Sequence, residues 1–246
     1  MNIGNYFFTN KFMISVCIAT FNGEKYIKEQ LDSIMPQLCR DDEIIISDDS
    51  STDKTIDIIK SYNDDRIIIL EKQNFKSPIY NFENALRFAS GEYIFLSDQD
   101  DKWAENKVKK MCEILVEYDL VVCDCYWFGS DKIVNISNFE FRNAGKGVVK
   151  NIIKNGYLGN CMAFRAKLLK KVLPFPKNIP MHDIWIGIVA NIHFKVFFLN
   201  EKLSFWRRHD NNTTKLNNNK SPYNLYKMVN MRLNLIFNLI LRSLKK

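Results

Sequence analysis

The sequence predicts an α/β fold with a mainly parallel central sheet and flanking helices, on three observations. Short apolar, β-branched runs alternate with segments of helical periodicity, the signature of βαβ units. Several of these runs stop abruptly at polar or acidic residues, as strands do where they reach a ligand crevice. The chain has 246 residues, 46% hydrophobic and 13% aromatic, enough for one large domain with a sizeable core.

Met13 to Ala19 reads as a buried strand ending at Thr20-Phe21-Asn22-Gly23, followed by a helix with Tyr26, Ile27, Leu31, Ile34 and Met35 on one face. Glu43 to Ser47 is a second strand, closed by Asp48-Asp49-Ser50-Ser51. Ser50 and Asp53 match a capping box that opens a helix over 52–62. A third strand covers 66–70, a helix 80–89 is stopped by Gly91, and 92–96 forms a fourth strand. A helix over 104–118 leads into a strand at 120–125. Residues 126–150 suggest an irregular or antiparallel insertion. A strand over 159–165 enters a helix at 167–172, and Pro174, Pro176 and Pro180 stiffen the loop before a helix that starts at Asp183. Two short strands, 196–199 and 203–206, follow.

In parallel sheets ligands bind beyond the carboxyl ends of the strands. Thr20-Phe21-Asn22, Asp48-Asp49-Ser50 and Asp98-Gln99-Asp100 should therefore line one crevice. Each alone reads equally well as a turn or cap. The three carboxylates of Asp98, Asp100 and Asp101 repel one another unless a cation relieves them, and hard Mg²⁺ or Mn²⁺ commonly bridges such carboxylates to substrate phosphates. Asp183 at a helix start is either a cap or a functional carboxylate. Arg87 and Lys107 read as solvated helix-surface residues.

Six cysteines without a CxxC pair and three histidines argue against a zinc module and fit thiols in a reducing cytosol. The net charge is +7, and residues 211–246 hold seven Lys or Arg with no Asp or Glu, so residues 1–210 are formally neutral. That distribution weakens any case for nucleic-acid binding by the main domain. The apolar run from Phe12 to Thr20 lacks a signal-peptide cleavage pattern, and no stretch is long enough to span a bilayer.

Ser15-Val-Cys-Ile-Ala-Thr-Phe-Asn-Gly, Asp48-Asp-Ser-Ser-Thr-Asp, Ser97-Asp-Gln-Asp-Asp-Lys-Trp, His182-Asp-Ile-Trp and Arg207-Arg-His-Asp-Asn-Asn stand in an order that resembles family 2 glycosyltransferases of GT-A fold. The bacterial rhamnosyltransferase-like branch is the most similar. The resemblance spans roughly 13–212 and implies a glycosyltransferase domain over 1–212; the charge distribution sets apart a basic tail over 213–246. It implies an inverting, Mn²⁺- or Mg²⁺-dependent transfer from a dTDP-rhamnose or UDP-hexose donor to a lipid-linked glycan in cell-surface polysaccharide synthesis. Ala19, Thr20, Phe21 and Asn22 would contact the nucleotide, and Asp49 would accept from the base's imide N–H. Asp98 would lie by the ribose and metal, Asp100 would bind the metal directly, and His209 would be a further metal or phosphate ligand. Asp101 would orient the following loop. Asp183 would be the catalytic base. Tyr157, Gly159, Asn160, His182 and Trp185 would form the acceptor side; for Trp185 and Trp206, core and sugar-stacking roles are both open. The alternatives are a nucleotidyltransferase of related fold, which usually carries a Gly-rich phosphate loop that 20–24 lacks, and a non-catalytic nucleotide-sugar-binding protein.

From Tyr223 onward a helical wheel gathers Asn224, Lys227, Asn230, Asn234, Asn238, Arg242 and Lys245 into an arc of roughly 120°. Leu233, Leu235, Phe237, Leu239 and Ile240 face the other way, with Arg232 as an intruder. Such a helix either packs on the domain or a second subunit, or lies on an anionic membrane surface. The acid-free tail favours the membrane, which would place the protein at the inner face of a bacterial cytoplasmic membrane.

Overall fold

The computed structural model describes residues 12–129, 133–134, 136–208 and 224–244. The strands are β1 (Ile14–Thr20), β2 (Glu43–Asp48), β3 (Ile67–Leu70), β4 (Tyr93–Asp98), β5 (Lys102–Trp103), β6 (Leu120–Phe128), β7 (Ile133–Val134), β8 (Met162–Arg165) and β9 (Val196–Arg207). The helices are α1 (Ile27–Ile34), α2 (Thr55–Lys60), α3 (Pro78–Phe88), α4 (Lys107–Leu115), α5 (Asn138–Arg142), α6 (Val148–Ile153), α7 (Leu169–Val172), α8 (His182–His193) and α9 (Leu225–Leu244).

One sheet runs β3-β2-β1-β4-β8-β6-β9-β5, with β7 paired to β6. Its first four strands are all parallel, and the helices between them cover both faces. This half is the α/β unit the sequence predicts, and its inner strands β2, β1 and β4 are apolar over most of their length because both sides are buried: Val16, Ile18, Ile44, Ile46, Ile94 and Leu96 are all fully inaccessible, while the edge strand β3 is partly exposed. The second half is mixed, with β8 antiparallel to both β4 and β6, and β6 parallel to β9. Together they form the mainly parallel, helix-flanked sheet expected of a GT-A fold.

Several elements differ from the sequence reading. The helix after β2 starts at Thr55, not 52. Ser50 takes a left-handed backbone (φ 62) and its hydroxyl donates to the Gln73 carbonyl at 2.5 Å, so no capping box forms. Lys54 takes the cap position, and Asp53 just before it holds the helix start, Oδ1 accepting from Thr55 N at 3.0 Å. The two short strands near 196–206 are one bent strand, whose register against β6 shifts twice around Asp124. Residues 159–161 form a 3₁₀ turn ahead of β8. Asp183 sits within the first turn of α8, with Met181 in the cap position.

The tail forms a helix as expected, held by one edge. Leu235 and Leu239 are buried, Arg232 donates to the carbonyls of Ile152 and Ile153, and Arg242 to those of Leu173 and Pro174. Arg232, an intruder on the wheel, is thus a docking residue. Among the described residues no helix is long and apolar enough to cross a membrane.

Candidate active site

Parallel pairing puts three strand ends side by side. In the register of β1 with its two neighbours, Thr20 lies opposite Asp48 and Ala19 opposite Asp98. The cleft beyond them, about 900 Å³, is lined by Ala19, Thr20, Phe21, Asn22, Asp49 and Asp98, together with Gln99 and Asp100. A smaller cavity of about 100 Å³ adjoins it. Its walls include Pro78, Phe82, Asp98 and Asp100, which are shared with the cleft, and also Gly159, His182, Asp183 and Trp206.

The cleft rim is fixed by hydrogen bonds local to the strand ends. Asp48 is buried and structural, accepting from Thr20 Oγ1 at 2.8 Å and from the Ser51 amide at 2.8 Å. Asp49 accepts from the amides of Phe75 (2.6 Å) and Ser77 (3.2 Å), which brings the loop before α3 over the cleft and leaves carboxylate lone pairs for a ligand. Gln99 clamps the loop after β1 by pairing with both the N–H and the C=O of Phe21, at 2.9 and 3.0 Å. A Cβ on Gly23 would lie 2.4 Å from the Gln99 amide oxygen, so only glycine admits this clamp. Phe21 itself stands 55% exposed at the rim. Asn22 adopts φ 48 and its side-chain oxygen accepts from Thr52 N at 2.9 Å, so its amide anchors the loop while its surface lines the cleft.

The acidic cluster divides cleanly. Asp98 lies at the junction of the two spaces; burial first, then the Asp100 and Asp183 charges, push its carboxyl up to about 7. Asp101 is fully buried and turned inward, accepting from Arg207 N at 2.8 Å and from the Asn160 side chain. Arg207 in turn donates to the Asp100 carbonyl at 2.7 Å and pairs with Glu29, its guanidinium lying over Tyr26 and Phe128. A bracket of β9 and Asn160 therefore fixes the backbone that carries Asp100.

Lys107 overturns its reading as a solvated residue. It is fully buried, its ammonium donating to the Asn160 carbonyl and to Ser204 Oγ (2.8 Å) over the Trp103 ring. The periodicity of α4 puts position 107 on the same inward face as Met111 and Leu115. Arg87 remains solvated, paired with Glu83 at 2.5 Å.

Asp183 is buried, and burial pushes its carboxyl up to about 6 against the opposing pull of Arg142 and its hydrogen bonds. Its Oδ1 accepts from Ile184 N at 2.5 Å and from the Asn155 amide at 3.5 Å. The N-terminus of α8 favours the ionised form.

Of the five residues expected on the acceptor side, only Gly159 and His182 reach the cavity. Tyr157 is wholly buried, packed on Phe198 and over Gly187, with its hydroxyl paired to Asn191. Asn160 is buried behind the site. Trp185 is a core residue whose indole N–H donates to the Val172 carbonyl at 2.9 Å. The 3₁₀ turn exposes one residue of 159–161 to the cavity and turns its neighbours inward. Trp206, left open in the sequence, lines the cavity. His209 lies outside the described residues. The sequence reading missed Lys76, Phe82 and Asn81 in the cleft wall. Asn81 Nδ2 donates to the Thr20 carbonyl at 3.0 Å while its Oδ1 is buried with no partner among the described residues. Two asparagines one turn apart on α3, Asn81 and Asn84, were the available signal; Asn84 Nδ2 donates to Ser47 Oγ at 2.9 Å.

This geometry has close parallels. The model of glycosyl transferase family 2 matches residues 15–173, which include all three strand ends and stop just short of Asp183. The chain is 30% identical over 218 residues to the dTDP-rhamnosyl transferase RfbG of Shigella flexneri, covering 79% of this chain and 72% of that protein. It is 25% identical over 187 residues to the UDP-Glc:alpha-D-GlcNAc-diphosphoundecaprenol beta-1,3-glucosyltransferase WfgD of Escherichia coli, covering 73% and 71%. A second Escherichia coli beta-1,3-glucosyltransferase, WfaP, matches over 42% of this chain and 41% of its own length. Staphylococcus aureus TarS 1–349 in complex with UDP-GlcNAc shares the fold, with a TM-score of 0.70 at 23% identity over 92% of this chain and 67% of that one. With a GT-A-like sheet and a family match over well more than half its length, this chain belongs to glycosyl transferase family 2.

Proposed function

We propose that the protein is an inverting glycosyltransferase that moves a hexosyl group from a dTDP- or UDP-sugar to a hydroxyl of a lipid-linked glycan. The observation that carries the reading is the shared wall. Asp98 and Asp100 line both the large cleft and the small cavity, and Asp183 lines that same cavity, an arrangement in which nucleotide, leaving group and base would meet at one junction. The names of RfbG, WfgD and the Campylobacter jejuni GalNAc(5)-diNAcBac-PP-undecaprenol beta-1,3-glucosyltransferase support such donors and acceptors.

In this reading Asp183 takes the proton of the acceptor hydroxyl as that oxygen bonds to the anomeric carbon. The bond from that carbon to the diphosphate breaks on the opposite face, and the nucleoside diphosphate leaves with configuration inverted. General-base assistance contributes about two to four powers of ten. The residues present fit a hard divalent cation. Two oxygen donors, Asp98 and Asp100, share the junction; burial first, and then the neighbouring Asp100 and Asp183 charges, raise the Asp98 carboxyl, and a cation would offset both. Among the described residues no group of three His, Cys, Asp or Glu forms a closed metal site. Two carboxylates suit Mn²⁺ or Mg²⁺, which keep waters and substrate phosphates as their other ligands. Bound there, the ion would neutralise charge developing on the diphosphate.

The acceptor reading extends to the surface. Docking of α9 by one edge leaves Tyr226 (81%), Leu233 (59%), Phe237 (60%) and Leu244 (73%) exposed. Residues 141–182, the stretch against which α9 docks, hold nine Lys or Arg and no Asp or Glu, matching the acid-free tail. An apolar helix face amid basic, acid-free segments fits an anionic bilayer surface at the inner leaflet.

The test is release of free nucleotide from a panel of nucleotide-sugars with Mn²⁺. We expect turnover with one dTDP- or UDP-sugar, and Asp183→Asn to lose at least 100-fold while still binding the nucleoside diphosphate. Normal turnover by that variant would remove the base assignment.

A further inference from the structure

His182 carries an unmet demand for hydrogen bonds. It is 4% exposed, stacked on Phe82 with ring centroids 4.0 Å apart, and neither ring nitrogen has a partner among the described residues. Burial holds its pKa down to about 3, so the ring is neutral, with one donor and one acceptor. An unpaired buried polar group costs about 1–3 kcal/mol, and structures rarely leave two on one side chain. Gly159 is part of the same arrangement: a Cβ there would lie 2.7 Å from Nε2, so glycine lets the ring stand against the turn at the cavity wall.

The position of the ring identifies the occupant. His182 was expected on the acceptor side, yet it lies one ring away from the nucleotide cleft, since Phe82 and Pro78 line both spaces. With a nucleoside diphosphate in the cleft, as proposed above, the group that would enter the cavity from that side is the one attached to the diphosphate. The cavity, at about 100 Å³, is several times what a single water needs. A neutral donor–acceptor pair matches hydroxyls, which both donate and accept, whereas an ionised phosphate offers no donor to the acceptor nitrogen.

We propose that His182 is a specificity-determining residue that hydrogen-bonds hydroxyls of the sugar being transferred. This rests on the glycosyltransferase reading and on no role for His182 in proton transfer.

The experiment compares matched pairs, UDP with UDP-glucose and dTDP with dTDP-rhamnose, binding to the full chain in Mn²⁺ by calorimetry. His182→Phe keeps the stacking and removes both nitrogens; His182→Asn restores a donor and an acceptor. For the pair that wild type binds, His182→Phe should leave nucleoside diphosphate affinity within twofold, which also shows that it is folded. It should bind the nucleotide-sugar at least tenfold more weakly and lower donor kcat/KM by about 10- to 100-fold. His182→Asn should recover part of the loss. Nucleotide-sugar binding unchanged in His182→Phe, or a defect confined to acceptor KM, overturns the proposal while leaving the enzyme reading intact. Wild type that binds neither pair overturns both.

Discussion

Burial tunes Asp183 for its proposed role, and its sign can be followed in two measurements. A base must be ionised, so on the acid side of its pKa kcat/KM should fall tenfold per pH unit, with the limb at about 6 in the free protein and lower once a cation is bound. Stability should run the other way. The folded pKa is raised above the usual carboxylate value, so the group stabilises the metal-free fold below about pH 4, and this contribution is lost as pH rises through about 6. A flat kcat/KM profile between pH 5 and 8 would contradict the assignment. Lys107 offers a second test. Lys107→Met removes the donor to Asn160 and Ser204, leaving buried acceptors that cost about 1–3 kcal/mol. Because Asn160 holds Asp101 beside Asp100, we expect both a lower melting temperature and a higher Mn²⁺ concentration for half-maximal turnover. A change in melting temperature alone would make Lys107 purely structural.

Among elements, the junction of β1 with its neighbours carries the site. Gly91 ends the α3–β4 turn with its N–H donating to Ser15 Oγ at 2.7 Å, and a Cβ there would meet the backbone N of Ser15 at 2.7 Å. Gly91→Ala should therefore push β4 from β1 and cost about 1–3 kcal/mol, read by chemical denaturation. Helix α9 separates two faces that mutate differently. Leu235→Ala, on the docked edge, should cost about 2 kcal/mol or more of local stability. Leu233→Asp with Phe237→Asp, on the exposed face, should leave the melting temperature unchanged and abolish co-sedimentation with vesicles containing phosphatidylglycerol. Equal co-sedimentation of that double variant would exclude a bilayer on this face.

At the scale of the whole molecule, cation and nucleotide binding should appear as linked stability. A ligand at 100 times its dissociation constant adds about 2.7 kcal/mol, or roughly 5–10 °C for a chain of this size. Mn²⁺ with UDP or dTDP should raise the midpoint by that order, EDTA should reverse it and stop turnover, and Asp100→Asn should remove the cation's share. Turnover unaffected by EDTA would exclude the role given to Asp100.

Local pattern alone determined the parallel half of the sheet, because strands buried on both faces must be apolar along their length and must end where polar residues begin. The same logic made the strand ends at Thr20, Asp49 and Asp98 legible as neighbours, since parallel strands bring their carboxyl ends to one edge. It also placed Asp183 at a helix start and the tail in an amphipathic helix. Tertiary structure decided what depends on contacts between segments far apart in the chain. Lys107 is buried because β9 and the 159–161 turn supply its acceptors; Tyr157, Asn160 and Trp185 turn into the core because a 3₁₀ turn and α8 bring only Gly159 and His182, of the five residues expected on the acceptor side, to the cavity. Periodicity reports which face of an element is inward, whereas the partner that an inward polar group meets is set by strand order and register, and those arise only when the chain closes on itself.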